Sequence, residues 1–209
     1  PSVDGHADVV REALSVADID ARTITLLEAH GTGTAVGDPI EVAALTEAYR
    51  SGTADVGVCR IGNTKPNIGH LDTAAGTASL VKVVQALRHG TLPPLANHTG
   101  PSPLLDLERS PFTLSGTAAP WDADGPRRAG VSSLGVGGTN AHVIVEEAPT
   151  QAPTPAATPG QILVLSGANQ AAVDAATERL AAFLEAEPHT NLADVAHTLL
   201  SGRRAMRHR

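Results

Sequence analysis

Aromatic side chains are scarce in this chain of 209 residues: they make up 2%, with one tryptophan, one tyrosine and two phenylalanines. Hydrophobic residues still account for 42%. A core must therefore be assembled from Ala, Val, Leu and Ile, which favours helices packed closely on a sheet. Cysteine occurs once, as Cys59. A single thiol excludes an internal disulfide and fits a reducing, cytoplasmic setting. Basic residues gather most densely at the very end, in Arg203-Arg204 and Arg207-His208-Arg209, and the formal charge is −7. Nucleic-acid binding needs a basic face, so no such partner is expected. No signal peptide is expected, no apolar run reaches bilayer length, and no membrane partner is expected. Cys, Asp and His nowhere cluster at ligand spacing, so no metal site is expected.

What is present is a regular alternation of elements, with length enough for one domain or two small pieces. Residues 3–18 carry Val9, Val10, Ala13, Leu14 and Ala17 at helical spacing. A buried strand follows over 23–29. Asp38-Pro39-Ile-Glu41 reads as a helix start, with Asp38 and Glu41 as capping groups, and the helix runs to about Tyr49. Residues 56–62 read as a second strand. Thr73 to His89 reads as a long helix, apolar on most of its surface for two turns and expected to be buried all round there. Residues 91–128 are proline-rich loops with short strands, and 129–147 hold a turn followed by a strand at His142–Glu146. A proline-rich linker spans 149–160. Beyond it, Ile162–Leu165 reads as a strand, 169–187 as a helix, and Asn191 as the cap of a second helix. The expected division is 1–148, linker 149–160, and 161–209. The last piece is too small to fold well alone.

Two histidines stand out. His30 closes an apolar run and opens Gly31-Thr-Gly-Thr34; His70 closes Lys65-Pro-Asn-Ile-Gly. Each is read at the C-terminal end of a strand, the edge where α/β sheets bind ligands. Small neighbours leave room for a substrate beside each ring. A lone histidine would more simply be structural, but two in such contexts favour chemistry. Gly135-Val-Gly-Gly138 is a turn whose glycines let backbone approach a ligand. Thr32 and Thr34 serve equally well as ligand contacts or as loop-satisfying hydroxyls. Cys59 lies inside a strand rather than at a helix N-terminus and reads as a small buried hydrophobe, not a nucleophile.

Glu28-Ala-His30-Gly-Thr-Gly-Thr34, Lys65-Pro-Asn-Ile-Gly-His70 and Gly135-Val-Gly-Gly-Thr-Asn140-Ala-His142 occur in the order found in ketosynthases. From about Val3 to Pro149 the chain resembles the C-terminal half of a ketosynthase of a modular type I polyketide synthase. The resemblance implies an α/β fold, the C-terminal half of a thiolase-like layered αβαβα arrangement. It implies a β-ketoacyl synthase, which performs a decarboxylative Claisen condensation. An acyl group waits on a cysteine, and a malonyl-type unit on the phosphopantetheine arm of an acyl carrier protein loses carbon dioxide and attacks it. The tail over 161–209 more weakly resembles the opening of the linker domain between ketosynthase and acyltransferase.

On this resemblance His30 and His70 are the donors to the enolate oxygen. Lys65 orients the second histidine or its neighbours. The Val136 N–H, with Gly137 and Gly138 beside it, belongs to a separate oxyanion hole for the acyl thioester. Thr32 and Thr34 are candidate contacts to the pantetheine arm. Asn140 and His142 hold the turn. Family members often carry phenylalanine at 134 or 136; Leu134 and Val136 here count against a ring-type gate and make room for a wider acyl pocket.

The nucleophilic cysteine of the family lies upstream of the first histidine and has no counterpart here. The chain is therefore expected to need an N-terminal ketosynthase half and to be inactive alone. Further expected partners are the acyl carrier protein, the acyltransferase domain and a second copy of the complete domain. No cofactor is expected to bind this chain itself. A non-condensing partner or malonyl decarboxylase, and a free-standing fatty-acid ketosynthase, are the rival readings. Serine, glutamine or glycine at the missing cysteine would favour the first. The linker and tail argue against the second.

Overall fold

The computed structural model describes residues 2–150 and 160–209. The chain divides into two compact units on either side of the Pro149–Thr150 bond. Of the proline-rich stretch expected over 149–160, residues 151–159 lie outside the described residues.

The first unit opens with α1 (Val3–Ala17). Ser2 Oγ caps it by accepting from the Gly5 amide at 3.4 Å, and left-handed Asp18 ends it. Strand β1 (Ile24–Glu28) follows, then α2 (Gly37–Tyr49) and β2 (Cys59–Gly62). A single-turn helix, α3 (Lys65–Ile68), and a 3-10 turn at Asp72–Ala74 lead into α4 (Ala75–His89). Short strands β3 (Thr91–Leu92), β4 (Phe112–Thr113) and β5 (Ala119–Pro120) punctuate the proline-rich region. Strands β6 (Arg128–Leu134) and β7 (Asn140–Glu146) close the unit as a hairpin.

The main sheet has the order β4-β2-β1-β6-β7. Strand β1 is central and runs parallel to both β2 and β6, while β7 is antiparallel to β6. Successive strand residues face opposite sides, and β1 shows it: Leu27 joins the core under α1 and α2, and Leu26 joins the core under α4. A register irregularity between Ile24 and Leu26 lets Ile24 share the side of Leu27. The first core is filled by Ala7, Val10, Leu14, Ala44, Ala48 and Tyr49; the second by Val83, Ala86, Leu87 and Trp121. Alanine is the commonest residue of the first core, and aliphatic side chains make up the second apart from Trp121. Trp121 is fully buried and its indole N–H donates to Thr25 Oγ1 at 2.7 Å.

Four expectations are corrected here. The strand expected over 56–62 begins only at Cys59. Helix α4 is not buried all round: Ala75, Ser79, Val83, Ala86 and Leu87 form the covered stripe, whereas Leu80, Val81 and Val84 are exposed. One sheet face covers one stripe of a helix, and apolar composition does not change that geometry. Residues 128–134, expected only as part of a turn, form the longest parallel partner of β1. Its Gly130 and its serines hid the strand pattern. In the second unit, α5 (Gln170–Ala186) and α6 (Leu192–Ser201) form as expected, capped by Asn169 and Asn191. The strand expected at Ile162–Leu165 does not. Among the described residues of this unit the β pairing is a single bridge, Gly167 with His208, and a strand without a neighbour leaves its ladder groups unpaired.

No helix among the described residues is long and apolar enough to cross a membrane.

The core carries a contrast that stability measurements can check. Leu27→Ala empties a fully buried site and is expected to cost about 2–5 kcal/mol. The Tyr49 hydroxyl is buried without a partner, so Tyr49→Phe relieves an unsatisfied group and should be neutral or stabilising by about 1 kcal/mol. Denaturant titration of both variants decides it; a clear loss for Tyr49→Phe would contradict this account of the core.

Candidate active site

The loop after β1 is held by its backbone. The Ala29 amide continues the strand pairing by donating to Gly62 O at 3.0 Å. The His30 and Gly31 amides then donate to the two oxygens of Glu41, at 2.7 and 2.8 Å. Lys65 Nζ donates to the His30 carbonyl. Asn63 Nδ2 donates to the Gly31 carbonyl at 2.6 Å, and the Gly33 amide donates to Asp38 Oδ1 at 3.0 Å. Gly31 has φ +46°, and a Cβ there would lie 2.3 Å from Asn63 Nδ2. Only glycine fits between that amide and the turn.

Capping was the expected role of Asp38 and Glu41, and the structure corrects it. The helix amide of Gly37 is taken by Thr34 Oγ1 at 2.9 Å, while both carboxylates reach back to the histidine loop. Lys65, expected to orient the second histidine or its neighbours, donates to the carbonyl of His30, the neighbour of the His70 ring. Burial raises the Glu41 carboxyl above its usual range, opposed by the Gly31 and His30 amides. Burial lowers Lys65, opposed by Glu41, Glu28 and Asp38.

His30 and His70 come together. Their ring centroids are 5.5 Å apart and their planes meet at 81°, an edge-on contact. His30 lies at the end of β1 as expected. His70 is not at a strand end; it follows α3, eight residues beyond the last position of β2. Its Nδ1 accepts from the Asp72 amide at 3.0 Å. An accepting Nδ1 puts the proton on Nε2, so His70 presents a donor outward. Burial, then the charges of Lys65, His70 and His6, lower His30 to about 4.

His30 lines an open cavity of about 570 Å³ together with Thr32, Thr34, Val136, Gly137 and Gly138. Most of the expected site residues thus share one space; His70 and Lys65 do not line it and meet it through His30. The 135–139 turn is closed by Gly135 N to Thr139 O at 2.8 Å and Gly138 N to Gly135 O at 3.2 Å. Among the described residues the Val136 N–H carries no hydrogen bond, and its side chain is fully exposed.

His142 does not hold this turn. Its Nδ1 pairs with Ser132 Oγ at 2.9 Å inside the β6–β7 hairpin, and burial lowers it to about 4. Asn140 ties the hairpin's start to α1, its Nδ2 donating to Gly5 O at 3.5 Å. His6 escaped the sequence reading altogether. It is buried on α1, lines the same cavity, and its Nδ1 has no partner, nor do His30 Nδ1 and Asn140 Oδ1. The available signal was a histidine on the helix stripe shared with Val10 and Leu14. Cys59 stays in the core, and burial pushes its thiol far above the ordinary range.

Comparison with known proteins gives the family and the fold. Residues 1–99 match the family model "Beta-ketoacyl synthase, C-terminal domain", and residues 101–209 match "Ketoacyl-synthetase C-terminal extension". The chain is 44% identical over 209 residues to a phenolphthiocerol/phthiocerol polyketide synthase of Mycobacterium tuberculosis, covering 98% of this chain and 14% of that protein. It is 45% identical over 212 residues to erythronolide synthase EryA3 of Saccharopolyspora erythraea, covering 100% of this chain and 7% of that one. Among solved structures, the ketosynthase from module 1 of the bacillaene synthase of Bacillus amyloliquefaciens FZB42 is similar with a TM-score of 0.76 and 41% identity. That similarity covers 99% of this chain and 37% of the other. The chain therefore spans a small part of its relatives' length.

The His30 environment has a pH consequence. Unfolded, its imidazole takes a proton near 6.5; folded, it does so only near 4. The stability tied to neutral His30 is complete above 6.5 and is lost as the pH falls from 6.5 towards 4. His142 acts in the same window and the same sense. Ring-proton NMR titration of the chain should show both histidines titrating well below the ordinary range; ordinary midpoints for both would contradict the burial described.

Proposed function

The chain belongs to the beta-ketoacyl synthase family, as its C-terminal domain and that domain's C-terminal extension, and from this premise we propose that it supplies the histidine side of a polyketide-chain condensing site. Its similarity to polyketide synthases and to solved ketosynthases supports the family assignment and the α/β class. The single observation that carries the reading is the edge-on pair of His30 and His70, 5.5 Å apart.

Decarboxylation breaks the C–C bond of a malonyl-type thioester; carbon dioxide leaves and its bonding electrons pass into an enolate. Charge develops on the thioester oxygen. Donors aimed at that oxygen in a site poor in water stabilise it. His70 is suited as one donor, because the Asp72 amide fixes its Nε2–H form. His30 is suited as the other, because its buried surroundings and the Lys65 charge keep it neutral. The enolate carbon then attacks an acyl thioester carbon. The new C–C bond forms, the C–S bond breaks, and the thiolate leaves from a β-ketoacyl product. The Val136 amide, with the Gly137–Gly138 backbone, is suited to the acyl thioester oxygen. Thr32 and Thr34 line the same cavity and are suited as contacts to a pantetheine arm.

The thiol in this scheme comes from an N-terminal ketosynthase half, since Cys59 is buried and unavailable. The other proposed partners are an acyl carrier protein bearing the phosphopantetheine arm, an acyltransferase domain, and a second copy of the complete domain. Exposed Leu80, Val81 and Val84 on α4 and Ile68 on α3 support a protein partner over this region.

The test is chain extension by the chain with and without an N-terminal half. The chain alone should neither load acyl groups nor condense them; activity from it alone refutes the reading. With the half supplied, His30→Ala and His70→Ala should each lower kcat by about 10²–10³. Decarboxylation of the malonyl unit without acyl transfer, by the assembled parent protein, would instead support a decarboxylase.

A further inference from the structure

Glu28 is the last residue of β1, two positions before His30, and has no exposed surface. Its two oxygens go separate ways. Oε2 takes Lys82 Nζ of α4 at 2.8 Å, and Oε1 takes the hydroxyl of buried Thr64 at 2.5 Å. Thr64 immediately precedes Lys65, whose ammonium holds the His30 carbonyl. At the far end of the same segment, the Asp72 amide holds the His70 ring, and the 3-10 turn containing Asp72 runs directly into α4. The stretch that carries His70 is therefore tied to one carboxylate at its start, through Thr64, and through the helix it runs into, at Lys82 in the middle of α4.

Strand β2 is shaped around the pair. A Cβ on Gly62 would lie 2.7 Å from Glu28 Oε2 and 3.2 Å from Lys82 Nζ. A side chain there would displace the ion pair, so the strand passes it as glycine. An apolar pair of equal volume could fill the same space without the cost of burying charge. What it could not do is hold two donors in fixed directions, as a carboxylate does.

We propose that Glu28 and Lys82, acting with Thr64, are positioning residues that set the distance and angle between the His30 and His70 rings. They touch no substrate in this scheme; they act by locking β1, the corner before α3, and α4 to one another. The kinetic consequence rests on the condensing role proposed above; the geometric claim does not.

Three variants separate positioning from plain stability. Thr64→Val removes the hydroxyl at constant volume, Thr64→Ser keeps it, and the double variant Glu28→Gln/Lys82→Met removes both charges together. The first readout is the ring-to-ring nuclear Overhauser contact of His30 and His70 in this chain. The second is condensation kinetics with an N-terminal ketosynthase half supplied. Thr64→Val and the double variant should lose the ring contact and lower kcat by roughly tenfold or more, with KM for carrier-bound malonyl moving less than about twofold. Thr64→Ser should retain both. The proposal is overturned if Thr64→Val or the double variant, melting cooperatively above the assay temperature, keeps the ring contact and a kcat within about twofold of the parent. Should the assembled parent fail to condense, the functional reading falls, and the ring contact alone decides the positioning.

Discussion

The site depends on how the backbone on either side of the His30 side chain is held. Both of its flanking groups are used: Glu41 takes the N–H of His30 and of Gly31, and Lys65 takes the His30 carbonyl. These groups come from different elements, α2 and α3, which meet only because β1 and β2 are parallel neighbours in the sheet. A histidine at a strand's end would otherwise sit on a free loop. Pinned at both peptide groups, it holds a ring orientation against which His70 can be set. Preorganisation of this kind is what electrostatic catalysis needs, because donors that must reorient during the reaction lose most of their advantage.

The charges around the loop are arranged in opposition. Glu41 and Lys65 both lose solvation, and each partly offsets the other's loss. At His30, burial first and then the Lys65 charge both favour the neutral ring. A neutral imidazole donates a hydrogen bond without carrying a positive charge. The 570 Å³ cavity is lined by His6, His30, Glu41, Asn140 and the glycine turn, and His6 Nδ1, His30 Nδ1 and Asn140 Oδ1 are buried without partners. Buried polar atoms without partners are costly, and three of the five such side-chain atoms among the described residues belong to residues that line this cavity.

Much of this was legible in the chain itself. Helical spacing in residues 3–18 and the apolar run before His30 announced α1 and β1, because amphipathic period and strand burial are local properties. The glycine at 31 and the turn at 135–138 were legible because backbone geometry there leaves little choice of residue. Less legible was everything decided by a distant neighbour. Strand β6 was missed because its serines and Gly130 lack an apolar alternation, and it is pairing with β1 that makes it a strand. The segment 162–165 has strand composition and no partner strand among the described residues of its unit. The exposed half of α4 shows the same limit: composition counts apolar residues but does not say how many surfaces exist to cover them.

The sequence alone determined which chemistry is available: two histidines beside small residues, a lysine, a glycine turn, and no thiol placed to act as a nucleophile. These follow from residue identity, which folding does not alter. Tertiary structure decided what each group works on. Asp38 and Glu41 have the spacing of caps and serve the histidine loop instead; Lys65 stands before His70 and holds His30; His6, which nothing in its local sequence singles out, lines the cavity. The reason is reach. A side chain extends several ångströms from its own backbone, and which donors and acceptors lie within that radius is set by the packing of elements far apart in the chain.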